Sequence, residues 1–181
     1  MINPLKRSMV FIDGSNLNKA WKRQRKEAKS SLDYEKLMLL ATQGTDCIRG
    51  YFYDSVNENE NIERFLDALR NIGITVVTKP LRYKDVRCER CNTIDRRVPY
   101  QKGIDIALST DLLMLAYENV YDVAIIISGD NDFVPAIEQV KRKGKIVRIV
   151  SFGSSLGQDL RRSADKVIQL DGRFPELERK V

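Results

Sequence analysis

Two apolar strands in this 181-residue chain each run directly into an aspartate. Val10-Phe11-Ile12 leads into Asp13-Gly14-Ser15-Asn16, and the stretch from Val123 to Ile127 leads into Ser128-Gly129-Asp130-Asn131-Asp132. Ligands of open parallel sheets sit in the crevice outside the carboxyl ends of the strands, so aspartates ending two neighbouring strands would converge on one point. Converging carboxylates repel one another, and a divalent cation relieves that repulsion. The sequence contains no histidine. That absence excludes Ser-His-Asp and Cys-His catalysis, histidine acid–base chemistry and histidine-containing zinc centres. Chemistry therefore falls to carboxylates, lysine, serine, cysteine, tyrosine or a metal.

A third acidic contribution comes from the segment Gly103 to Leu113. At about 100° per residue, Ile104, Leu108, Leu112 and Leu115 form one stripe, with Asp105 at its edge and Asp111 near its middle. A carboxylate within an apolar stripe needs a hydrogen bond, an ion pair or a metal. Asp105 could also simply favour the helix dipole from the first turn. Asp111 could bond a neighbouring backbone group or an arginine. Of Asp130 and Asp132, one could cap the helix that follows, and the other has no such need.

The elements that must position these acids can be read from apolar period and punctuation. Strands are predicted at 9–12, 48–53, 74–78, 122–127, 145–150 and 166–170. Helices are predicted at about 16–26, 34–42 behind an Asp33 cap, 60–71, 103–118, 132–143 and 155–163. The alternation predicts an α/β fold: a mostly parallel central sheet with helices on both faces, a Rossmann-like three-layer sandwich. The aliphatic runs 123–127 and 146–150 are those of strands covered on both sides. Residues 1–171 are expected to form a single domain. Within it, 81–101 is a basic flap or hairpin, and 172–181 is a charged tail that Phe174 pins down.

The net charge of +6 coexists with the proposed acidic cluster, so the remaining surface is more basic than the total. That pattern suits a polyanion held by lysines and arginines while its reacting phosphate meets the carboxylates. Candidate substrate-binding residues are Lys22, Arg23 and Lys26 after the first motif, and Arg96, Arg97 and Lys102 before the helix carrying Asp105. For the first set, a solvated helix face is an equal alternative. Tyr83 or Tyr100 could stack on an unpaired base, whereas Trp21, four residues from Leu17, is expected in the core. No apolar run reaches the roughly 18 to 20 residues of a membrane span, and no signal-peptide pattern opens the chain, so cytoplasm is the expected location. Cys47, Cys88 and Cys91 are too few for a disulfide framework. Cys88-Glu89-Arg90-Cys91 is half of a zinc knuckle, leaving Zn2+ shared across a homodimer, Zn2+ completed by Cys47, or inert thiols as the alternatives.

Three segments together resemble the motifs of the NYN domain family in its LabA-like branch. They are Val10 to Asn16, Lys102-Gly103-Ile104-Asp105-Ile106-Ala107-Leu108, and Ser128 to Phe133; Leu160 to Asp165 is similar as well. The resemblance implies a PIN-like fold and a metal-dependent hydrolase of RNA phosphodiesters. Carried over by position, Asp13, Asp105 and Asp130 become the acids for Mg2+ or Mn2+. Asp132 becomes a further acid beside them, Asn16 and Ser128 polar supports, and Asp165 a fourth acid of variable place. Single-stranded RNA is the expected partner. A catalytically silent RNA-binding module and a small phosphohydrolase are the competing functions.

Overall fold

An unbroken apolar strand, β1 (Arg7–Asp13), occupies the middle of the molecule, buried from Ser8 to its end. The structure is a computed structural model that describes residues 4–24, 31–57, 59–87, 90–91 and 93–179; the side chains of residues 95–97 also lie outside the description. Five strands join β1: β3 (Asp46–Val56), β4 (Ile74–Pro80), β7 (Val123–Ile127), β8 (Ile146–Ser151) and β9 (Lys166–Gln169). They form one sheet in the order β4-β3-β1-β7-β8-β9, with every pairing parallel.

Helices cover both faces, as the alternation predicts. On one side lie α1 (Gly14–Gln24), α2 (Tyr34–Ala41) and α3 (Glu60–Asn71), whose Leu17, Leu37 and Leu66 pack on Val10, Ile12 and Phe52. Asp33 caps α2 by accepting the Lys36 N–H, the role its sequence position implies. On the other side lie α4 (Ile104–Tyr117), α5 (Val134–Arg142) and α6 (Gln158–Ser163), whose Leu108, Ile137 and Leu160 pack on Phe11, Ile126 and Ile149. The five buried aliphatic residues of β7 serve both layers, which explains their lack of polar alternation.

The chain order reverses at β1: the strand β3 that follows pairs on one side, and β7 pairs on the other. The crevice at the carboxyl ends of β1 and β7 is thus the switch point where ligands of open sheets bind. Ile12 lies level with Ile127, so Asp13 and Ser128 leave the sheet side by side.

Two small sheets stand outside this body. Strands β5 (Arg82–Arg87) and β6 (Ile94–Tyr100) pair antiparallel as a projecting hairpin. The two-residue strands β2 (Ser31–Leu32) and β10 (Glu178–Arg179) pair antiparallel and tie the C-terminal segment to the start of α2. Just before β10, Phe174 opens the short helix α7 (Phe174–Leu177) and stacks on Phe152, while Trp21 contacts both rings and is buried. Among the described residues no helix is long and apolar enough to cross a membrane.

Phe152 follows β8 directly and is fully buried in this aromatic cluster. Phe152→Ala should lower unfolding free energy by roughly 3–5 kcal/mol, read as a reduced urea midpoint with an unchanged denaturant slope.

Candidate active site

The first aspartate is fixed through both of its oxygens. Asp13 Oδ1 accepts the Asn16 N–H at 3.0 Å, closing the turn into α1, and Asp13 Oδ2 accepts the Ser128 hydroxyl at 2.9 Å. Ser128 Oγ in turn accepts the Asp130 N–H at 3.2 Å, and Asn16 Oδ1 accepts the Gly129 N–H at 3.0 Å. Asn16 and Ser128 therefore stitch the two strand ends together as polar supports. Asp130 caps the 3-10 turn Asn131–Phe133 by accepting the Asp132 N–H at 3.1 Å.

Close backbone approach permits this arrangement. A Cβ on Gly129 would lie 2.0 Å from the Ser155 carbonyl oxygen, and one on Gly14 would lie 2.3 Å from the Phe52 ring. Gly157 donates its N–H to the Gly129 carbonyl at 2.8 Å, and Asn131 Oδ1 accepts the Leu160 N–H. The loop after β8 thus braces the turn that carries Asp130.

Asp13, Asp105 and Asp130 line one cavity of about 160 Å³, together with Lys19, Arg23 and Gln101. Asp105 reaches it from the first turn of α4, which begins after Gly103 at φ 78°, a left-handed conformation that glycine adopts without a Cβ clash. Burial pushes the Asp13 carboxyl above the usual range, with further upward pressure from Asp105 and Asp130; the Asn16 and Ser128 hydrogen bonds oppose it. Asp105 stands at the open rim. Partial desolvation raises its pKa, and the charges of Asp130 and Asp132 push the same way. No ion pair among the described residues involves Asp13, Asp105 or Asp130. Lys19, which lines the same cavity, opposes the upward pressure on Asp105.

The residues present suit a hard divalent cation. Their donors are carboxylate oxygens, partly desolvated and mutually repelling, the condition that a bound cation relieves. Among the described residues no three acidic or sulfur side chains crowd into a ready-made metal cage. Asp13, Asp105 and Asp130 thus line one cavity without forming a three-ligand metal site, so a cation there would draw on one or two of them and on water.

The other sequence candidates are placed as follows. Asp132 is exposed beside the cavity, acting on Asp105 electrostatically. Arg23 lines the cavity, but Lys22, one helical step away, lines a separate cavity with Trp21 and Tyr34. Lys26 lies outside the described residues, as do the side chains of Arg96 and Arg97, although their backbone runs in β6. Lys102 is exposed in the loop before α4. Cys88 lies outside the described residues; Cys91 is exposed and shares a hydrogen bond with Thr93. Asp165 does not face the cavity: it pairs with Lys141 at 2.8 Å and accepts the Val147 N–H, joining β9 to β8. Asp111 accepts the Tyr53 hydroxyl at 2.8 Å, which accounts for a carboxylate in an apolar stripe.

Two residues outside the sequence-predicted set complete the site: Gln101 lines the cavity, and Asp54 stands behind it. Asp54 is a half-buried residue of β3 between buried Tyr53 and Ser55, and its Oδ1 accepts the Ser55 N–H at 2.8 Å and a Gln101 Nε2 hydrogen at 2.9 Å. Its signal was present in Tyr51-Phe52-Tyr53-Asp54, a third apolar strand running into an aspartate. Burial, then the charge of Asp13, raises the Asp54 pKa to about 6 against the opposing Ser55, Gln101 and Lys19 interactions.

Comparisons with known proteins agree with this architecture. The NYN domain model matches residues 7–171. The low amplitude and bright protein LabA of Synechococcus elongatus is 28% identical over 166 residues, covering 91% of this chain and 84% of LabA. A crystal structure of a protein of unknown function from Vibrio parahaemolyticus superposes with a TM-score of 0.73 at 23% identity, covering 99% of both chains, and shares the fold.

The Asp54 carboxyl stays protonated to a higher pH in the folded protein than in the unfolded chain, where its pKa is about 3.9. The folded state then binds more protons between about pH 4 and the folded value of about 6, so stability falls as pH rises through that window. Asp54→Asn should remove this fall. Urea denaturation without divalent cations should find the variant equal to wild type below about pH 4, and more stable above about pH 6 by up to about 3 kcal/mol.

Proposed function

This chain belongs to the NYN domain family, and on that premise we propose that it is a divalent-cation-dependent ribonuclease acting on single-stranded RNA. The observation that carries the reading is the gathering of Asp13, Asp105 and Asp130 around one cavity at the sheet's switch point, without a paired lysine or arginine among the described residues.

Asp13 and Asp130 offer the oxygens for Mg2+ or Mn2+, and Asp132 adds negative potential beside them. A bound divalent cation supplies relief for charge building on the phosphate oxygens and eases deprotonation of water. Asn16 and Ser128 keep the Asp13 carboxylate in one orientation, so its placement costs no reorganisation during reaction. Asp105, at the rim, accepts the proton of the attacking water. The water oxygen bonds to phosphorus as the bond from phosphorus to the 3′ oxygen breaks, and that oxygen takes a proton from solvent. Products carry a 5′-phosphate and a 3′-hydroxyl, and the RNA 2′-hydroxyl takes no part.

Lys19 and Arg23 line the same cavity and hold the phosphates flanking the scissile one. The projecting hairpin adds exposed Arg82, Lys84 and Arg87 along the path of the strand. Its Tyr100 ring, with the Lys84 ammonium 5.3 Å from the ring centre, offers a face to an unpaired base.

Purified protein incubated with end-labelled single-stranded RNA should cleave it in Mg2+ or Mn2+ and stop in excess chelator. Combining Asp13→Asn with Asp130→Asn should cut the rate by roughly 100-fold or more. Cleavage that persists at the wild-type rate in the double variant would sink the reading.

A further inference from the structure

Gln101 is one of the uncharged residues lining the acidic cavity, and its amide is held from behind. Its Nε2 donates to Asp54 Oδ1 at 2.9 Å across 47 positions of sequence. A carboxylate only accepts hydrogen bonds, so Asp54 selects the end of the amide that faces it. The nitrogen turns to the carboxylate, so the carbonyl oxygen Oε1 is the end of the amide that Asp54 does not engage. Asp54 is itself fixed, because the same Oδ1 accepts the Ser55 N–H at 2.8 Å and its Oδ2 lies against Gly14, where a Cβ would approach to 3.0 Å. Gln101 is also two residues before the left-handed Gly103 that opens α4, so it shares a short loop with Asp105.

We propose that Gln101 is a catalytic residue that orients the attacking water through Oε1, and that Asp54 is the positioning residue that sets its amide. The assignment rests on the ribonuclease reading and adds two residues to it. A glutamine carbonyl accepts one hydrogen of the water, while Asp105 takes the proton that is lost. The water oxygen is thereby left with a lone pair directed at phosphorus, and Gln101 neither gains nor loses a proton. Substrate binding falls to Lys19 and Arg23, so loss of the amide acts on turnover rather than affinity.

The experiment compares wild type, Gln101→Leu, Asp54→Asn and the double variant by single-turnover cleavage of labelled single-stranded RNA, with Mn2+ binding by calorimetry and thermal unfolding in parallel. Gln101→Leu removes the acceptor, and Asp54→Asn keeps the shape but no longer dictates which end of the amide faces it. Each single variant should lower kcat by about 10- to 100-fold with KM within about twofold of wild type. The double variant should be no slower than Gln101→Leu, because Asp54 acts through that amide. Mn2+ affinity and cooperative unfolding should persist in Gln101→Leu. A rise in KM with unchanged kcat would reassign Gln101 to substrate recognition and overturn the proposal. Multiplied losses in the double variant would overturn the link to Asp54. Full activity of Gln101→Leu would end the water-orienting role while leaving the ribonuclease reading intact. A wild type that binds no Mn2+ and cleaves no RNA would remove both.

Discussion

The repulsion among carboxylates at the carboxyl end of the sheet is the constraint around which the rest of the molecule is organised. Asp13 is buried, lies within electrostatic reach of Asp105 and Asp130, and has no lysine or arginine bound to it among the described residues. Such a group remains in place only because the surroundings over-determine it. Asn16 and Ser128 donate to its two oxygens, the parallel register of β1 and β7 delivers both turns side by side, and Gly129 lets the Ser155 carbonyl come close. Hydrophobic layers on both faces supply the rigidity. Their apolar burial is what the fold sets against the electrostatic cost of keeping acids together.

Much of this was legible in the sequence because its signals are local. Aliphatic runs ending in aspartate marked β1 and β7, and alternating strand and helix periods gave the layered parallel sheet. The unreadable parts depend on partners distant in sequence. Nothing near Asp111 reveals that Tyr53 on β3 will donate to it, and nothing near Asp165 reveals Lys141. The pairing of β2 with β10 rests on two residues from each strand, too short for any period to show.

Asp54 follows Tyr51-Phe52-Tyr53 within a strand that runs on to Val56, whereas the sequence places the end of that strand at residue 53 and leaves the aspartate outside it. Lys22 and Arg23 are adjacent in sequence and about 100° apart around α1. That angle directs one to the acidic cavity and the other to a separate cavity beside Trp21. Charge composition identifies a basic segment, whereas helical phase decides which of its residues share a site. A run of lysines and arginines therefore gives a weaker indication of substrate contacts than the carboxylates give of the centre they surround.

The central strand β1 has one neighbour available soon after it in the chain and another only far downstream, since the Asp13–Ser128 contact spans 115 positions. During synthesis, the edge of β1 that will meet β7 has no partner until that later strand emerges. Long-range pairing of this kind is slow, and an unpaired aliphatic edge invites association with other chains. A nascent chain therefore depends on its helices to shield the half-built sheet. The carboxylates are brought together when β7 joins β1, the third of the five parallel pairings in chain order, so their mutual repulsion is met only once the half of the sheet built from β1, β3 and β4 exists to withstand it.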